Sequence, residues 1–69
     1  MEQQQTLGDR IRFARLMKRW NQTRLAKEIG CSRNTIAGWE NSLHYPSPVL
    51  LGALANALAV DVEELEKGE

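Results

Sequence analysis

The stretch that most constrains the fold of this chain is QTRLAKEIGCSRNTIAGWEN, residues 22–41. A small residue, Ala26, stands in its first half, and Gly30 follows four positions later. Glycine readily adopts the positive φ that often ends a helix, so Gly30 predicts a tight turn. Ile36 and Trp39 are three residues apart and therefore share one face of a second helix. The pattern predicts two short helices at a steep angle, with the small residue where they pack closely.

A small residue, a turn glycine and a spaced apolar pair in this register are typical of a helix-turn-helix motif. In such a motif the first turn of the second helix points into the major groove of DNA. Arg33 and Asn34 occupy that turn here. Arginine makes paired hydrogen bonds to guanine, and asparagine makes them to adenine. We therefore expect Arg33 and Asn34 to contact bases of double-stranded DNA.

The outer face of this second helix carries unusually small residues. At 100° per residue, Ala37 and Gly38 lie opposite the apolar pair, on the same side as Arg33 and Asn34. Glycine inside a helix is destabilising by about 1 kcal/mol relative to alanine. Close approach of the helix backbone to another surface is one reason for a glycine there. Gly38 is therefore expected to lie on an exposed face that approaches the DNA closely, with a poorly optimised exposed face as the alternative.

Helix signals along the rest of the chain predict an all-α bundle of five short helices. Capping residues precede the apolar-patterned segments, and they are Thr6, Asn21, Ser32 and Ser47. Together with the apolar periodicity they place helices at residues 6–18, 22–29, 33–41, 48–58 and 62–66. The polar residues 1–5 are expected to form a flexible tail. Residues 6–67 are expected to form one small domain, as suits a chain of 69 residues.

The charged residues are divided unevenly along a chain whose net charge is zero. Residues 1–40 hold eight basic and four acidic side chains, a net charge of +4. Residues 41–69 hold one basic and five acidic side chains, a net charge of −4. A domain with such a dipole presents a positive face to DNA phosphates. On charge alone, a chance asymmetry of solvated faces is the alternative.

Composition argues against several other classes of protein. One cysteine, Cys31, and one histidine, His44, are too few for a zinc site, so no metal is expected. A cofactor and a small-molecule ligand are not expected either. His44 is expected to be a solvated loop residue. The sequence shows no paired-carboxylate site and no nucleophile beside a base, so an enzyme is not expected. No apolar run is long enough to cross a membrane, and a cytoplasmic protein is expected.

Nearly the whole chain, from LGDRIRFARL through the motif to AVDVEEL, resembles the Cro/repressor (XRE) helix-turn-helix family. Within that family it is most similar to the N-terminal DNA-binding domains of lambdoid phage repressors. The resemblance implies a five-helix fold, binding to a palindromic operator as a homodimer, and control of transcription by a bacterial or phage-encoded protein. A stand-alone antitoxin or Cro-like regulator, and a protein-interaction module on the same fold, are the alternatives.

The resemblance also implies roles for individual residues in DNA binding. Gln22 matches a position that anchors a DNA phosphate and supports a base-contacting side chain. Asn41, just after the third helix, matches a second phosphate anchor. Gly38 matches a base-reading position, beside Arg33 and Asn34. Because glycine has no side chain there, base reading is expected to fall more heavily on the other two.

Two further sets of residues follow from the resemblance. Arg15 and Glu40 match a pair that forms a buried salt bridge between the first helix and the end of the third. Arg19 stands where the family often has a glycine at a helix exit. Dimer contacts in such repressors come from the loop before the fourth helix and from the region joining the fourth and fifth helices. In this chain those regions hold Tyr45, Pro46, Val60 and Val62.

Overall fold

The structure, a computed structural model, describes residues 6–66 of the chain. It contains five helices, α1 (Leu7–Met17), α2 (Gln22–Ile29), α3 (Arg33–Glu40), α4 (Pro48–Leu58) and α5 (Val62–Glu66). Residues 6–66 contain no strand, and the all-α prediction is confirmed. Only the ends of α1 and the last residue of α3 differ from the predicted bounds, each by one position. The tail predicted at residues 1–5 lies outside the described residues, as does position 67, the expected end of the domain.

Helices begin where the sequence offers a capping side chain. The Thr6 hydroxyl accepts a hydrogen bond from the backbone N–H of Asp9 at 3.0 Å. The Asp9 carboxylate accepts one from the backbone N–H of Thr6 at 3.2 Å, which completes a capping box. At the next three helices the side-chain oxygen accepts from the backbone N–H three positions later, and these caps are Asn21, Ser32 and Ser47.

The first four helices all end through the same backbone closure. After each helix one residue adopts the left-handed conformation, with φ between 60° and 78°, and these are Arg19, Gly30, Ser42 and Ala59. The next residue donates its backbone N–H to the carbonyl five positions earlier, at 2.9 to 3.2 Å. The positive φ predicted for Gly30 is confirmed. The other three positions reach the same conformation with a side chain in place.

The core is built where four helices each contribute a fully buried side chain, Ile11, Leu25, Ile36 and Leu54. Leu65 of α5 is 2% exposed and closes one side of this cluster. Helix α2 packs against α3 and α4, and α1 packs against α3 and α5. Ala26 is 3% exposed within this core, consistent with its predicted place at a close helix crossing. The packing leaves the first turn of α3 at the surface.

Helix α1 crosses the end of α3 at Gly8. A Cβ atom at that position would collide with the carbonyl oxygen of Trp39 and would lie 2.8 Å from the carbonyl carbon of Glu40. These atoms belong to the backbone and therefore cannot rotate away. A residue without a side chain allows the first turn of α1 to lie directly on the last turn of α3.

Candidate nucleic-acid interface

A buried ion pair links α1 to the last residue of α3. Arg15 Nε donates to Glu40 Oε2 at 2.7 Å, and Arg15 Nη2 donates to Glu40 Oε1 at 3.0 Å. The side chain of Glu40 is 0% exposed and that of Arg15 is 9% exposed. Arg15 Nη1 donates to the carbonyl oxygen of Trp20 at 2.8 Å. Every nitrogen of the guanidinium group thus has an acceptor, in the two-pronged geometry that gives arginine–carboxylate pairs their strength.

The surroundings of Glu40 lower the pKa of its carboxyl group. Burial by itself raises this pKa, because it disfavours the charged form. Hydrogen bonds from Arg15 and Gln22, the charge of Arg15 and a hydrogen bond from Arg12 together outweigh burial. Arg12 contributes least, since its Nε lies 3.4 Å from Oε1 and its side chain is 46% exposed. Glu40 therefore remains ionised inside the folded domain.

Gln22 connects this buried pair to the protein surface. Its Nε2 donates to Glu40 Oε1 at 3.0 Å, and its Oε1 accepts from Arg33 Nη1 at 3.1 Å. Gln22 is the first residue of α2, and Arg33 is the first residue of α3. A series of hydrogen bonds thus runs from the buried carboxylate of Glu40 to an exposed guanidinium group. We call Glu40, Gln22 and Arg33 the relay.

The outer side of α3 carries most of the polar residues expected to meet DNA. Arg33 and Asn34 are exposed in its first turn, and Asn41 is exposed just beyond its end. On the inner side Ile36 is 0% exposed and Trp39 is 2% exposed, so the predicted apolar face is confirmed. The helix thus presents Arg33 and Asn34 outward from a firmly packed base.

Gly38 differs from the expectation that it would lie exposed on the face that approaches the DNA. It is buried, because the imidazole ring of His44 lies over it. A Cβ atom at Gly38 would collide with Nε2 of His44 and would lie 2.8 and 2.9 Å from Cδ2 and Cε1. The expectation of an exposed position is therefore wrong. The glycine makes room for a side chain of the same chain.

The path of the backbone after α3 explains why His44 reaches Gly38. Ser42 has a φ of 61°, and the backbone N–H of Leu43 donates to the carbonyl oxygen of Gly38 at 2.9 Å. This closure turns the chain back along the helix it has just left. The His44 ring then meets the Trp39 ring edge-on, with centroids 6.5 Å apart and an interplanar angle of 72°. His44 is exposed in the loop after α3, as expected, but its contacts with Gly38 and Trp39 were not predicted.

Exposed basic side chains lie near the start of α2. Arg24 Nε donates to Glu28 Oε2 at 2.8 Å, and the Arg24 guanidinium lies 4.6 Å from the centre of the Trp20 ring. The Lys18 ammonium lies 5.1 Å from the same ring. These two cations are held around Trp20 by attraction to the aromatic ring. Lys18 adds positive charge beside the start of α2, whereas the charge of Arg24 is paired with Glu28, and neither cation belongs to the relay.

One groove lies away from the predicted DNA-binding residues. Its volume is about 400 Å³, and it is lined by side chains of α1 and α5 together with Lys18, Leu58 and Val60. None of the residues predicted to contact DNA lines it. Residues 6–66 hold no cluster of three potential metal ligands. Within the same range, none of the helices combines the length and the apolar character that a membrane crossing requires.

Comparison with known proteins gives one family and several similar structures. A family model described as helix-turn-helix matches residues 11–65. The P22 c2 repressor protein, solved in complex with synthetic operator 9T, has a TM-score of 0.89 and 37% sequence identity. That match covers 94% of this chain and 98% of the repressor chain. Among curated proteins, no match was found.

Two further solved structures are also similar to this chain. SinR, a master regulator for biofilm formation solved in complex with DNA, has a TM-score of 0.82 and 28% identity over 87% of this chain and 97% of its own. SinR comes from Bacillus subtilis. The restriction-modification controller protein C.AhdI from Aeromonas hydrophila has a TM-score of 0.81 and 34% identity, with 86% of each chain covered.

Proposed function

Because this chain belongs to the helix-turn-helix family, it is a DNA-binding transcriptional regulator, and we propose that it is a repressor whose α3 reads an operator in the major groove. The observation that carries the proposal is the exposed first turn of α3. There Arg33 is held beside Gln22 at 3.1 Å, and Asn34 stands next to it in the chain. Like the operator-bound P22 c2 repressor, the protein would act on double-stranded DNA.

Base reading falls first on Arg33 and Asn34. The hydrogen bond to Gln22 uses one N–H group of Arg33, and a guanidinium group has five. Enough donors remain for two parallel hydrogen bonds to guanine, while Asn34 is suited to a neighbouring adenine. Gly38 belongs to the same reading face in this proposal. Contact with DNA at Gly38 would be made by the helix backbone or by the side chain that lies over this position.

Gln22 and Asn41 would position the domain rather than read bases. They lie at the two ends of the motif, at the start of α2 and just after α3. Both are neutral amides that suit phosphate oxygens, and contacts to phosphates fix the register of a protein on the duplex. Clamping at both ends would hold the first turn of α3 against the base edges.

Two copies would bind one palindromic operator. A small domain of zero net charge makes few phosphate contacts, so a single copy holds DNA weakly. Half-sites about one helical turn apart, ~10 bp, would place both recognition helices in successive major grooves. For contact between the copies, Tyr45 is 65% exposed and Val62 is 37% exposed, while Pro46 and Val60 are half-buried. We place the protein in the cytoplasm, where its DNA would be.

The proposal is tested by selecting bound sites from random duplex DNA and then measuring affinity for every single-base variant of the selected site. Arg33→Ala should weaken binding by about 1–3 kcal/mol and relax the preference mainly at one base pair. Arg24→Ala is the matched control, because it removes the same charge from a side chain already engaged by Glu28 and Trp20. Any loss in the control should be the same for every site variant. An unenriched pool, or an equal loss across all variants for Arg33→Ala, would refute the assignment.

A further inference from the structure

We propose that His44 supplies the base-reading group that Gly38 lacks. The inference rests on the proposed function, since it assigns a further specificity residue to the same DNA-binding face. It starts from a geometric fact, namely that the imidazole ring occupies the space where a side chain at position 38 would begin.

Gly38 lies on the same face of α3 as the residues expected to meet DNA. It is four positions after Asn34 and three positions before Asn41, and residues at these spacings are neighbours on a helix surface. A surface approaching this line between Asn34 and Asn41 therefore passes position 38. There it meets the imidazole ring of His44 before the backbone of α3.

The ring is held at that place by two features. The backbone closure after α3 turns the chain back, with Leu43 N–H bonded to the Gly38 carbonyl at 2.9 Å. The edge-on contact with buried Trp39 then supports one side of the imidazole. A placed ring of this kind loses less freedom on binding than a mobile loop side chain would.

The chemistry of imidazole suits the edge of a base pair. One ring nitrogen donates and the other accepts a hydrogen bond in the neutral form, and both donate in the charged form. Base edges in the major groove present both donors and acceptors. His44 thus brings to the third position of the reading face a hydrogen-bonding group that glycine has not.

The test compares His44→Ala, Gly38→Ala and the double variant with the parent, on all single-base variants of the selected operator. His44→Ala should reduce discrimination about tenfold at one base pair, distinct from the pairs affected by Arg33→Ala and Asn34→Ala. The Cβ atom of Gly38→Ala should displace the ring, whose tip is the flexible end of a side chain, and relax the same base pair. The double variant should lose no more base discrimination than either single variant, because all three variants remove the same contact between the His44 ring and the base pair.

Leu43→Ala is the matched control, because Leu43 precedes His44 in the same loop and is 76% exposed. It should leave base preference unchanged. Urea unfolding of each variant checks that the fold is intact. An unchanged, uniformly weakened or tightened affinity for His44→Ala across all sites would overturn the inference. If the parent itself shows no sequence preference, the proposed function fails instead, so the two failures are distinguishable.

Discussion

Arg15 and Glu40, 25 positions apart in the chain, form a two-pronged ion pair at 2.7 and 3.0 Å where α1 crosses the end of α3. The same carboxylate accepts a hydrogen bond from Gln22, whose other end holds Arg33. The buried carboxylate of Glu40 thus stabilises the packing of α1 on α3 and, through Gln22, also helps to orient the exposed side chain of Arg33. Variants along this series of hydrogen bonds separate the two roles.

Arg15→Met should destabilise the domain by about 3–5 kcal/mol, because it leaves the buried carboxylate of Glu40 without its main partner. Arg12→Met is the matched control, since Arg12 contacts the same carboxylate at 3.4 Å from a half-exposed position. It should destabilise by about 1 kcal/mol or less, as exposed pairs do. Urea unfolding at neutral pH measures both. Equal midpoints for Arg15→Met and the parent would mean that the pair does not stabilise the fold.

Stability should fall in acid because the folded state lowers the pKa of Glu40. The unfolded chain binds a proton at this carboxyl group near its ordinary pKa of 4.5, and the folded domain binds it only at lower pH. The contribution is therefore fully present above pH 4.5 and is lost as pH falls through the folded pKa. Glu40→Gln should show a shallower acid loss than the parent, with the exposed Glu28→Gln as control. Parallel pH profiles for parent and Glu40→Gln would contradict this.

Helix starts could be predicted from the sequence better than helix exits. A capping side chain is a local chemical signal, and Thr6, Asn21, Ser32 and Ser47 could be read directly. A glycine indicates the left-handed exit at Gly30, and the family resemblance indicates a helix exit at Arg19. At Ser42 and Ala59 residues that do not favour this conformation adopt it, and a backbone hydrogen bond from the next residue closes each helix. The local sequence around Ser42 and Ala59 therefore does not predict a left-handed conformation.

The helix exits at Gly30 and Ala59 share a left-handed backbone conformation but carry different residues. Opposite substitutions at the two positions therefore test the cost of a side chain in that conformation. Gly30→Ala should destabilise by about 1–2 kcal/mol, because a Cβ atom is disfavoured at φ 78° even though the space around it is empty. Ala59→Gly should stabilise, by less than that amount, since the strain at φ 61° is relieved while the unfolded chain gains freedom. Thermal or urea unfolding measures both. Two changes of the same sign would refute the strain argument.

The candidate site could also be predicted only in part, because some of its features depend on local sequence and others on tertiary structure. Helical periodicity alone places Arg33 and Asn34 outside and Ile36 inside, and the structure agrees. The contact between His44 and Gly38 depends on the path of a loop, which periodicity does not describe. The hydrogen bond from Arg33 to Gln22 depends on how two helices cross. The resemblance implied that Gln22 supports a base-contacting side chain, but it did not identify Arg33 as that side chain.

Gln22→Ala and Arg33→Ala should be non-additive in DNA binding. Gln22→Ala releases Arg33 from its 3.1 Å hydrogen bond, so part of the effect of losing Arg33 is already present in that variant. The coupling energy in a double-mutant cycle on the selected operator should be at least ~0.5 kcal/mol. Asn41→Ala with Arg33→Ala is the control pair, because Asn41 lies at the other end of α3 and the two effects should add. Full additivity of Gln22→Ala with Arg33→Ala would mean that the relay does not act in binding.

Operator binding should show two protein copies for each palindrome. Tyr45→Arg should weaken binding to the full palindrome, because it places a charge in the expected contact between copies, and should leave binding to an isolated half-site unchanged. Sedimentation of protein–DNA mixtures gives the stoichiometry, and titrations on both duplexes give the affinities. The exposed Val49, 82% accessible, provides the control as Val49→Arg. One copy on the full palindrome would exclude dimeric binding.

Because of its hydrogen bond to Gln22, Arg33 loses side-chain conformational entropy when the domain folds and not only when it binds DNA. A free arginine side chain has about 2 kcal/mol of rotamer entropy, and ordering it opposes any contact it makes. In this domain part of that ordering has taken place during folding, before DNA arrives. The hydrogen bond to Gln22 offsets that ordering within the folded domain, and the operator meets a side chain already in place. Ordering of Arg33 then opposes operator binding less than it would if the side chain were free beforehand.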